Sequence, residues 1–209
     1  MKFLASLLMT ALLAVPVFSA HAAGDAPKVA KPDLVKGEAS YNAVCMACHG
    51  TDGNSAIAAN PKLSQQHPEY LVKQLQEFKS GKRKNAVMQG FATGLSEDDM
   101  RNIAYWVTSK AAKPGFARDK DLVAMGERIY RGGIADRQIA ACAGCHSPNG
   151  AGIPAQYPRL SGQHADYTVS QLNMFRDGTR ANSIQMTQVA AKLNDKEIKA
   201  VSDYIAGLR

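Results

Sequence analysis

The spacing of apolar and polar residues along the chain predicts helices with little strand. Two helix starts are especially clear, because Ser96 is followed by Asp99 and Asn194 by Glu197, the arrangement of a capping box. Apolar residues then recur at helical spacing after each start. These segments predict the last helix of two similar sets of helices, and the fold class predicted for the whole chain is all-α.

Two further helices are predicted in each set. The first begins near Asp33 or Asp119 and carries a glycine four residues before a tyrosine. Glycine at that place allows close contact with another helix, and the tyrosine fills the adjacent space. The middle helix is predicted from Pro68 to Gly81 and again over 165–178, since proline suits the first turn of a helix and glycine its end.

The two sets of helices belong to an internal repeat, here called the first repeat (residues 33–109) and the second repeat (residues 119–209). The matched residues are Gly37 and Tyr41 with Gly126 and Tyr130, Pro61 and Leu63-Ser64 with Pro158 and Leu160-Ser161, His67 and Tyr70 with His164 and Tyr167, Gln74-Leu75 and Phe78 with Gln171-Leu172 and Phe175, and Gly81, Arg83 and Asn85 with Gly178, Arg180 and Asn182. Eight extra residues follow Tyr130 in the second repeat, around Gly132-Gly133-Ile134. This repetition indicates gene duplication and two small domains.

The start of the chain predicts export. Lys2 precedes a long apolar run, and Ala20-His21-Ala22 fits the small-x-small cleavage rule, so residues 1–22 are interpreted as a signal peptide and residues 23–32 as an N-terminal extension. An uncleaved segment that acts as a membrane anchor is the alternative. Residues 110–118 are predicted to link the two repeats, and the mature protein is expected to be exported.

The distribution of charge excludes one class of partner. The formal net charge is +7, and basic residues are spread over both repeats, so nucleic acid is not an expected partner. The densest basic cluster consists of Lys79, Lys82, Arg83 and Lys84. This cluster could steer an acidic redox partner, but we favour a solvated helix end, where cations face the C-terminal dipole.

All four cysteines lie in two Cys-x-x-Cys-His motifs, residues 45–49 and 142–146. This spacing is the attachment signature of c-type haem, in which two thiols bond the haem vinyl groups and the histidine ligates the iron. Zinc motifs place two such pairs roughly 15–20 residues apart, and disulfide frameworks need no adjacent histidine, so both are weaker alternatives. The sequence therefore predicts two covalently bound haem c groups, attached through Cys45, Cys48, Cys142 and Cys145.

The sixth iron ligand decides whether such a site carries electrons or binds a substrate. A methionine thioether favours ferrous iron and is usual in electron-transfer cytochromes. Met88 and Met186 are the pair of methionines that recurs at matching places in the two repeats. We therefore predict that His49 with Met88, and His146 with Met186, ligate the two irons, with each methionine in a loop between helices.

Two other recurring pairs bear on the iron sites. His67 and His164 offer a bis-histidine alternative, but each stands just before a helix start, so we favour a surface or capping role. Pro61 and Pro158 lie twelve residues after the predicted ligand histidines. A backbone carbonyl of this loop is expected to accept the hydrogen bond that orients the ligating imidazole.

Taken together, these motifs resemble the dihaem cytochrome c4 family over essentially the whole mature chain, from about residue 24 to residue 209. The resemblance rests on the two Cys-x-x-Cys-His motifs, the Gly-x-x-x-Tyr openings, the Pro-x-Leu-Ser segments and the Gln-Leu…Phe…Gly-x-Arg runs that lead to Met88 and Met186. It implies two tandem class I cytochrome c domains, each a small helical fold wrapped around one haem, with the cysteines, histidines and methionines in the roles named above.

The resemblance also implies a function, namely a periplasmic electron carrier that is not an enzyme and has no small-molecule substrate. Its expected partners are redox proteins: a quinol-oxidising cytochrome complex or another donor, and a terminal haem–copper oxidase as acceptor. Peripheral membrane association stays open. The main alternative is the electron-accepting subunit of a flavocytochrome-type dehydrogenase. A dihaem peroxidase and a haem-based sensor are weaker, because the matched methionines argue against an open iron site and no output domain is visible.

Overall fold

The computed structural model describes residues 30–209, which form helices and no β-strand. The predicted signal peptide and most of the N-terminal extension lie outside the described residues. The helices are α1 Leu34–Val44, α2 Met46–His49, α3 Pro68–Lys79, α4 Ala86–Thr93, α5 Glu97–Thr108, α6 Lys120–Gly132, α7 Ala143–His146, α8 Ala165–Arg176, α9 Ile184–Ala190 and α10 Asp195–Gly207, with a 3₁₀ turn at Ala135–Arg137. Within the described part of the chain, no helix is long and apolar enough to cross a bilayer.

The predicted helix ends are confirmed. The side chains of Asp33 and Asp119 cap α1 and α6 by accepting hydrogen bonds from backbone N–H groups. Both predicted capping boxes form, at the starts of α5 and α10. Gly81 and Gly178 follow α3 and α8 with φ of +77° and +80°, a conformation that favours glycine.

In each repeat the first helix crosses the last at very short distance. Gly37 of α1 lies against the backbone carbonyl of Asn102 in α5, and Gly126 of α6 lies against the carbonyl of Ala200 in α10. A Cβ at either glycine would overlap that carbonyl. These crossings explain why glycine stands at the same place in both repeats.

The tyrosine that follows each of these glycines anchors the haem motif. Tyr41 and Tyr130 are fully buried, and their rings pack against Trp106 and Tyr204 at centroid distances of 4.9 and 5.5 Å. The Tyr41 hydroxyl donates a hydrogen bond to the carbonyl of Gly50, and the Tyr130 hydroxyl to that of Ser147, both at 2.7 Å. The core of each repeat thus holds the residue directly after its Cys-x-x-Cys-His motif.

The prediction that the recurring methionines lie in loops is wrong. Met88 lies in α4 and Met186 in α9, each in the first turn of a short helix. The side chains of Asn85 and Ser183 cap these helices by accepting hydrogen bonds from the N–H groups of Met88 and Met186. The signal for each helix in the sequence was one capping residue, Asn85 or Ser183. Helices this short give no clear period of apolar residues, so the pattern of hydrophobicity does not reveal them.

The extra residues after Tyr130 form a small clamp on the second repeat. Ile134 and Ile139 pair in an isolated antiparallel bridge, and Ile139 is buried in the core. Arg137 donates hydrogen bonds to the carbonyl of Lys192 and to Glu197. The insertion therefore braces the connection between α9 and α10.

We expect Gly37→Ala to lower the free energy of unfolding by about 1–3 kcal/mol or more, because the added methyl group must separate α1 from α5. Urea unfolding followed by far-ultraviolet circular dichroism measures the change. Gly90→Ala is the matched control, since nothing lies within 4 Å of the new Cβ, and it is expected to stabilise α4 by about 0.5–1 kcal/mol. Equal effects of the two substitutions would contradict the close crossing.

Candidate functional site

The histidines of the two haem motifs are held in the same way. Nδ1 of His49 lies 3.0 Å from the carbonyl oxygen of Pro61, and Nδ1 of His146 lies 2.9 Å from that of Pro158. A carbonyl oxygen can only accept, so Nδ1 carries the proton and donates it in both repeats. The expectation that this loop orients the histidines is confirmed.

This hydrogen bond leaves the other ring nitrogen of each histidine available. Among residues 30–209, no group makes a hydrogen bond to Nε2 of His49 or His146. Both rings are buried, and this burial lowers their pKa although the carbonyl hydrogen bond opposes the change. A neutral imidazole with a free Nε2 lone pair is the form that ligates a metal.

The cysteines lie in or directly before the short helices α2 and α7, which end at these histidines. Cys45 ends α1 and Cys142 precedes α7, and neither is paired in a disulfide. Burial raises the pKa of both thiols to about 11. Cys45 and Cys142 pack against the cores of their repeats, whereas Cys48 is exposed and Cys145 is half-buried.

Apolar side chains next to both motifs are left exposed by the polypeptide. Those near the two methionines are Val87, Phe91 and Ile184, between 46% and 64% exposed, and those after the two motifs are Ile57 and Ile153, 49% and 39% exposed. Met88 and Met186 themselves are half-buried. Such surfaces fit a large, flat apolar ligand such as a porphyrin.

The available donor groups suit a metal that already has most of its ligands, such as the iron of a porphyrin. Within the described residues, no cluster of three or more His, Cys, Asp or Glu side chains could hold a bare metal ion. Each repeat instead offers one free imidazole nitrogen, one recurring thioether and two thiols. A porphyrin supplies four nitrogen ligands to its iron and needs only two more from the chain.

The recurring histidines His67 and His164 lie in an interface between the repeats, so the prediction of a surface or capping role is wrong. Nε2 of His67 donates to the carbonyl of Ala151, and Nε2 of His164 donates to that of Ser55, at 2.9 and 2.8 Å. Neither side chain caps the helix that follows it. Each bond occupies Nε2 and ties its histidine ring to the opposite repeat.

Two buried arginines form the centre of this interface. The Arg83 guanidinium donates to Gln74, to the hydroxyl of Tyr167 and to Gln171, at 2.8–2.9 Å. Arg180 makes the reciprocal set, to Gln171, to the hydroxyl of Tyr70 and to Gln74, at 2.7–3.3 Å. The two guanidinium groups thus share the same two amide oxygens, as expected for two copies of one surface.

The surroundings of the arginines repeat as well. Arg83 lies over the ring of Phe78 and Arg180 over that of Phe175, at 4.5 and 4.4 Å from the centroids. Arg83 is only 7% exposed, so its assignment to a solvated basic cluster is wrong. The other cations of that cluster do stay near solvent, with Lys82 bound to Glu77 and Lys79 to the carbonyl of Leu95.

Two glutamines complete the interface by pairing with backbone. The Gln66 amide binds the N–H and carbonyl of Arg159, and the Gln163 amide binds those of Lys62, all at 2.8–3.0 Å. The residues of this interface were not identified from the sequence. The available signal was that polar residues recur in both repeats at places where helix packing alone needs no polar group.

The chain is similar to known cytochromes in both sequence and structure. The family model described as cytochrome c matches residues 34–111 and again 124–209. Cytochrome c4 of Pseudomonas aeruginosa is 46% identical over 211 residues, which cover 99% of this chain and 98% of that protein. The crystal structure of reduced recombinant cytochrome c4 from Pseudomonas stutzeri superposes with a TM-score of 0.81 at 44% identity, covering 86% of this chain and 100% of the other. A thiosulfate dehydrogenase electron acceptor of Stutzerimonas stutzeri is 38% identical over 170 residues, 78% of each chain.

We expect Arg83→Ala to lower the free energy of unfolding by about 2–3 kcal/mol, because it leaves buried oxygens of Gln74, Tyr167 and Gln171 with fewer donors. Urea unfolding should then separate into two transitions as the repeats lose their coupling. The control is Arg131→Ala, which removes an exposed pair with Glu127 and should change little. A single unshifted transition for Arg83→Ala would show that the interface contributes no stability.

Proposed function

Because the chain belongs to the cytochrome c4 family, we propose that it is a periplasmic electron carrier in which each iron is held by one histidine and one methionine. The chain carries two covalently bound haem c groups and transfers electrons between redox proteins. When bound, each haem supplies an iron that changes oxidation state by one electron.

The observation that supports the ligand assignment is the repeated histidine geometry. In both repeats Nδ1–H donates to a proline carbonyl, so the lone pair of Nε2 has a set direction and is free to bind iron. His49 and His146 are the proposed first axial ligands. Cys45 and Cys48, and Cys142 and Cys145, would form the thioether links on either side of them.

Met88 and Met186 are the proposed second axial ligands. Each lies at the start of a short helix whose capping residue accepts a hydrogen bond from the methionine N–H, so the backbone at the ligand is well held. A ligand held in place changes little between the two oxidation states, so little energy is needed to reorganise the site. A thioether also stabilises ferrous iron and raises the reduction potential.

The reciprocal interface supports transfer between the two sites within one molecule. Electron transfer slows steeply as the distance between redox centres grows, so a carrier with two sites needs a constant separation between them. The shared hydrogen bonds of Arg83 and Arg180 are buried and join both repeats. They would keep the two haem sites at one distance and orientation.

Residues 1–22 are proposed to direct export before cleavage, and a quinol-oxidising cytochrome complex and a terminal haem–copper oxidase are the proposed donor and acceptor. A second candidate is the electron acceptor of a dehydrogenase, favoured by the 38% identity to the thiosulfate dehydrogenase electron acceptor. The two are distinguished by mixing the reduced protein with membranes that contain haem–copper oxidase, and the oxidised protein with a thiosulfate dehydrogenase and thiosulfate. Rapid oxidation in the first mixture supports the lead proposal, whereas rapid reduction in the second supports the other role.

We expect near-infrared magnetic circular dichroism of the oxidised protein, normalised to haem content, to show two methionine-ligated low-spin irons per chain. The thioether gives a charge-transfer band distinct from that of bis-histidine or high-spin iron. One methionine site beside an open or bis-histidine site would overturn the ligand assignment and bring catalysis or sensing back into consideration.

Met88→Ala and Met186→Ala should each leave both haems attached and lower the potential of one site only, because the thioether that favours ferrous iron is lost. Potentiometric titration measures the potentials, and mass spectrometry confirms that both haems remain. Met125→Ala is the control, since this helical methionine packs against the core of the second repeat and has no methionine counterpart in the first. Unchanged potentials after either substitution would exclude that methionine as a ligand.

A further inference from the structure

At one place in the interface the first repeat has a charged cluster and the second repeat does not. Glu77 in α3 corresponds to Met174 in α8. Its two lysine partners, Lys73 and Lys82, likewise correspond to uncharged residues of the second repeat, Ser170 and Thr179. One repeat therefore presents a carboxylate where the other presents a thioether.

The Glu77 carboxylate is buried, and both of its oxygens accept hydrogen bonds. Its side chain is 8% exposed, and Oε1 accepts hydrogen bonds from Lys73 and Lys82 at 2.8 and 3.0 Å. Oε2 accepts from Nδ2 of Asn182 in the second repeat at 2.6 Å. Burial alone would raise the pKa of Glu77, but these three hydrogen bonds outweigh it and hold the pKa below its usual value.

The segment before the methionine is one residue longer in the second repeat, since Met186 stands four residues after Asn182 whereas Met88 stands three after Asn85. In the first repeat, Asn85 is itself the capping residue of α4, three residues before Met88. In the second repeat, Ser183 takes the capping role for α9, and Asn182 directly before it is turned into the interface with 8% exposure. Its amide donates to Glu77 and also to Gln74, both in α3.

We propose that Glu77 is a positioning residue for the iron site of the other repeat, acting through Asn182 on the start of the helix that carries Met186. This inference rests on the proposed function, because it takes Met186 as an iron ligand. The first repeat has no equivalent arrangement, because its matched asparagine, Asn85, caps α4. Met174, which stands at the place of Glu77, offers only a thioether, a weak acceptor that Ser170 and Gln171 already approach at 4.0 and 3.8 Å. The second iron site thus depends on a residue of the first repeat, and the reverse dependence is missing.

The chain of contacts is short. Asn182 precedes Ser183, whose Oγ accepts a hydrogen bond from the Met186 N–H and whose carbonyl accepts one from the Thr187 hydroxyl. Asn182 donates hydrogen bonds to two acceptors of α3, Gln74 and Glu77. These bonds fix the position of the first turn of α9 relative to the interface. Replacing Glu77 removes the stronger of the two hydrogen bonds that Asn182 donates to α3. The Glu77 oxygen is charged and lies 2.6 Å from Nδ2 of Asn182, whereas the uncharged Gln74 oxygen lies at 3.0 Å.

The test uses three variants of the full dihaem protein and one matched control. Glu77→Met introduces the residue of the second repeat, Glu77→Gln keeps an acceptor but removes the charge, and Asn182→Ala removes the link and leaves the carboxylate. Glu127→Gln is the control, because it neutralises an exposed carboxylate that pairs with Arg131 away from the interface. Asn182→Ala keeps the test valid should Glu77→Met fail to fold.

The readout is methionine ligation at each site, measured separately. In the reduced protein each iron-bound methionine gives its own strongly shifted methyl resonance in the NMR spectrum, and Met88→Ala and Met186→Ala assign the two resonances. In the oxidised protein, raising the pH displaces the methionine, and the midpoint of this displacement measures how firmly it is bound. Loss of one buried charge-assisted hydrogen bond should weaken Met186 ligation about tenfold, a fall of about one unit in that midpoint.

The expected result is a fall in the Met186 midpoint for Glu77→Met and Asn182→Ala, a smaller fall for Glu77→Gln, and an unchanged Met88 midpoint in all three. Equal changes at both sites, or an unchanged Met186 midpoint, would overturn the proposal. A failure of the proposed function is seen separately, because both methyl resonances would then survive Met186→Ala whatever residue stands at position 77.

Discussion

The close crossing of the first and last helices in each repeat is the constraint on which the remaining structure depends. Only a residue without a side chain lets α1 reach the backbone of α5, and α6 that of α10. The crossing buries Tyr41 and Tyr130, whose hydroxyls hold the backbone just after each haem motif. The position of the histidine in each haem motif therefore depends on a contact between the first and last helices of its repeat.

The second organising feature is a surface that each repeat presents to the other. Burying two like charges is costly unless their hydrogen bonds are satisfied, and here both arginines donate to the same pair of glutamine oxygens. A duplicated chain meets this requirement readily, because a surface that complements itself needs only one set of residues. The difference between Glu77 and Met174, and the extra residue between Asn182 and Met186, then make the two repeats unequal.

Much of each repeat could be predicted from the sequence. The predicted features involve residues that are close together along the chain. They are the capping boxes at Ser96 and Asn194, and the hydrogen bonds that the haem-motif histidines donate to the carbonyls of Pro61 and Pro158. The helices that carry the methionines were missed, since their short length gives no clear apolar period. His67 and Arg83 were misassigned because each has a partner 84 residues further along the chain, Ala151 and Tyr167. A local sequence pattern cannot predict contacts over that separation.

By itself, the sequence determined the all-α class, the two haem attachments and the helix ends, because each follows from residue types at short spacing. Tertiary structure alone decided which recurring polar residues turn inward, since Tyr70 meets Arg180 across 110 residues only when both repeats are folded. It also decided the role of Asn182, which is matched to the capping residue Asn85 but does not cap α9. Asn182 meets Glu77 only when α3 and the start of α9 pack together, and that geometry depends on the shape of both surfaces at once.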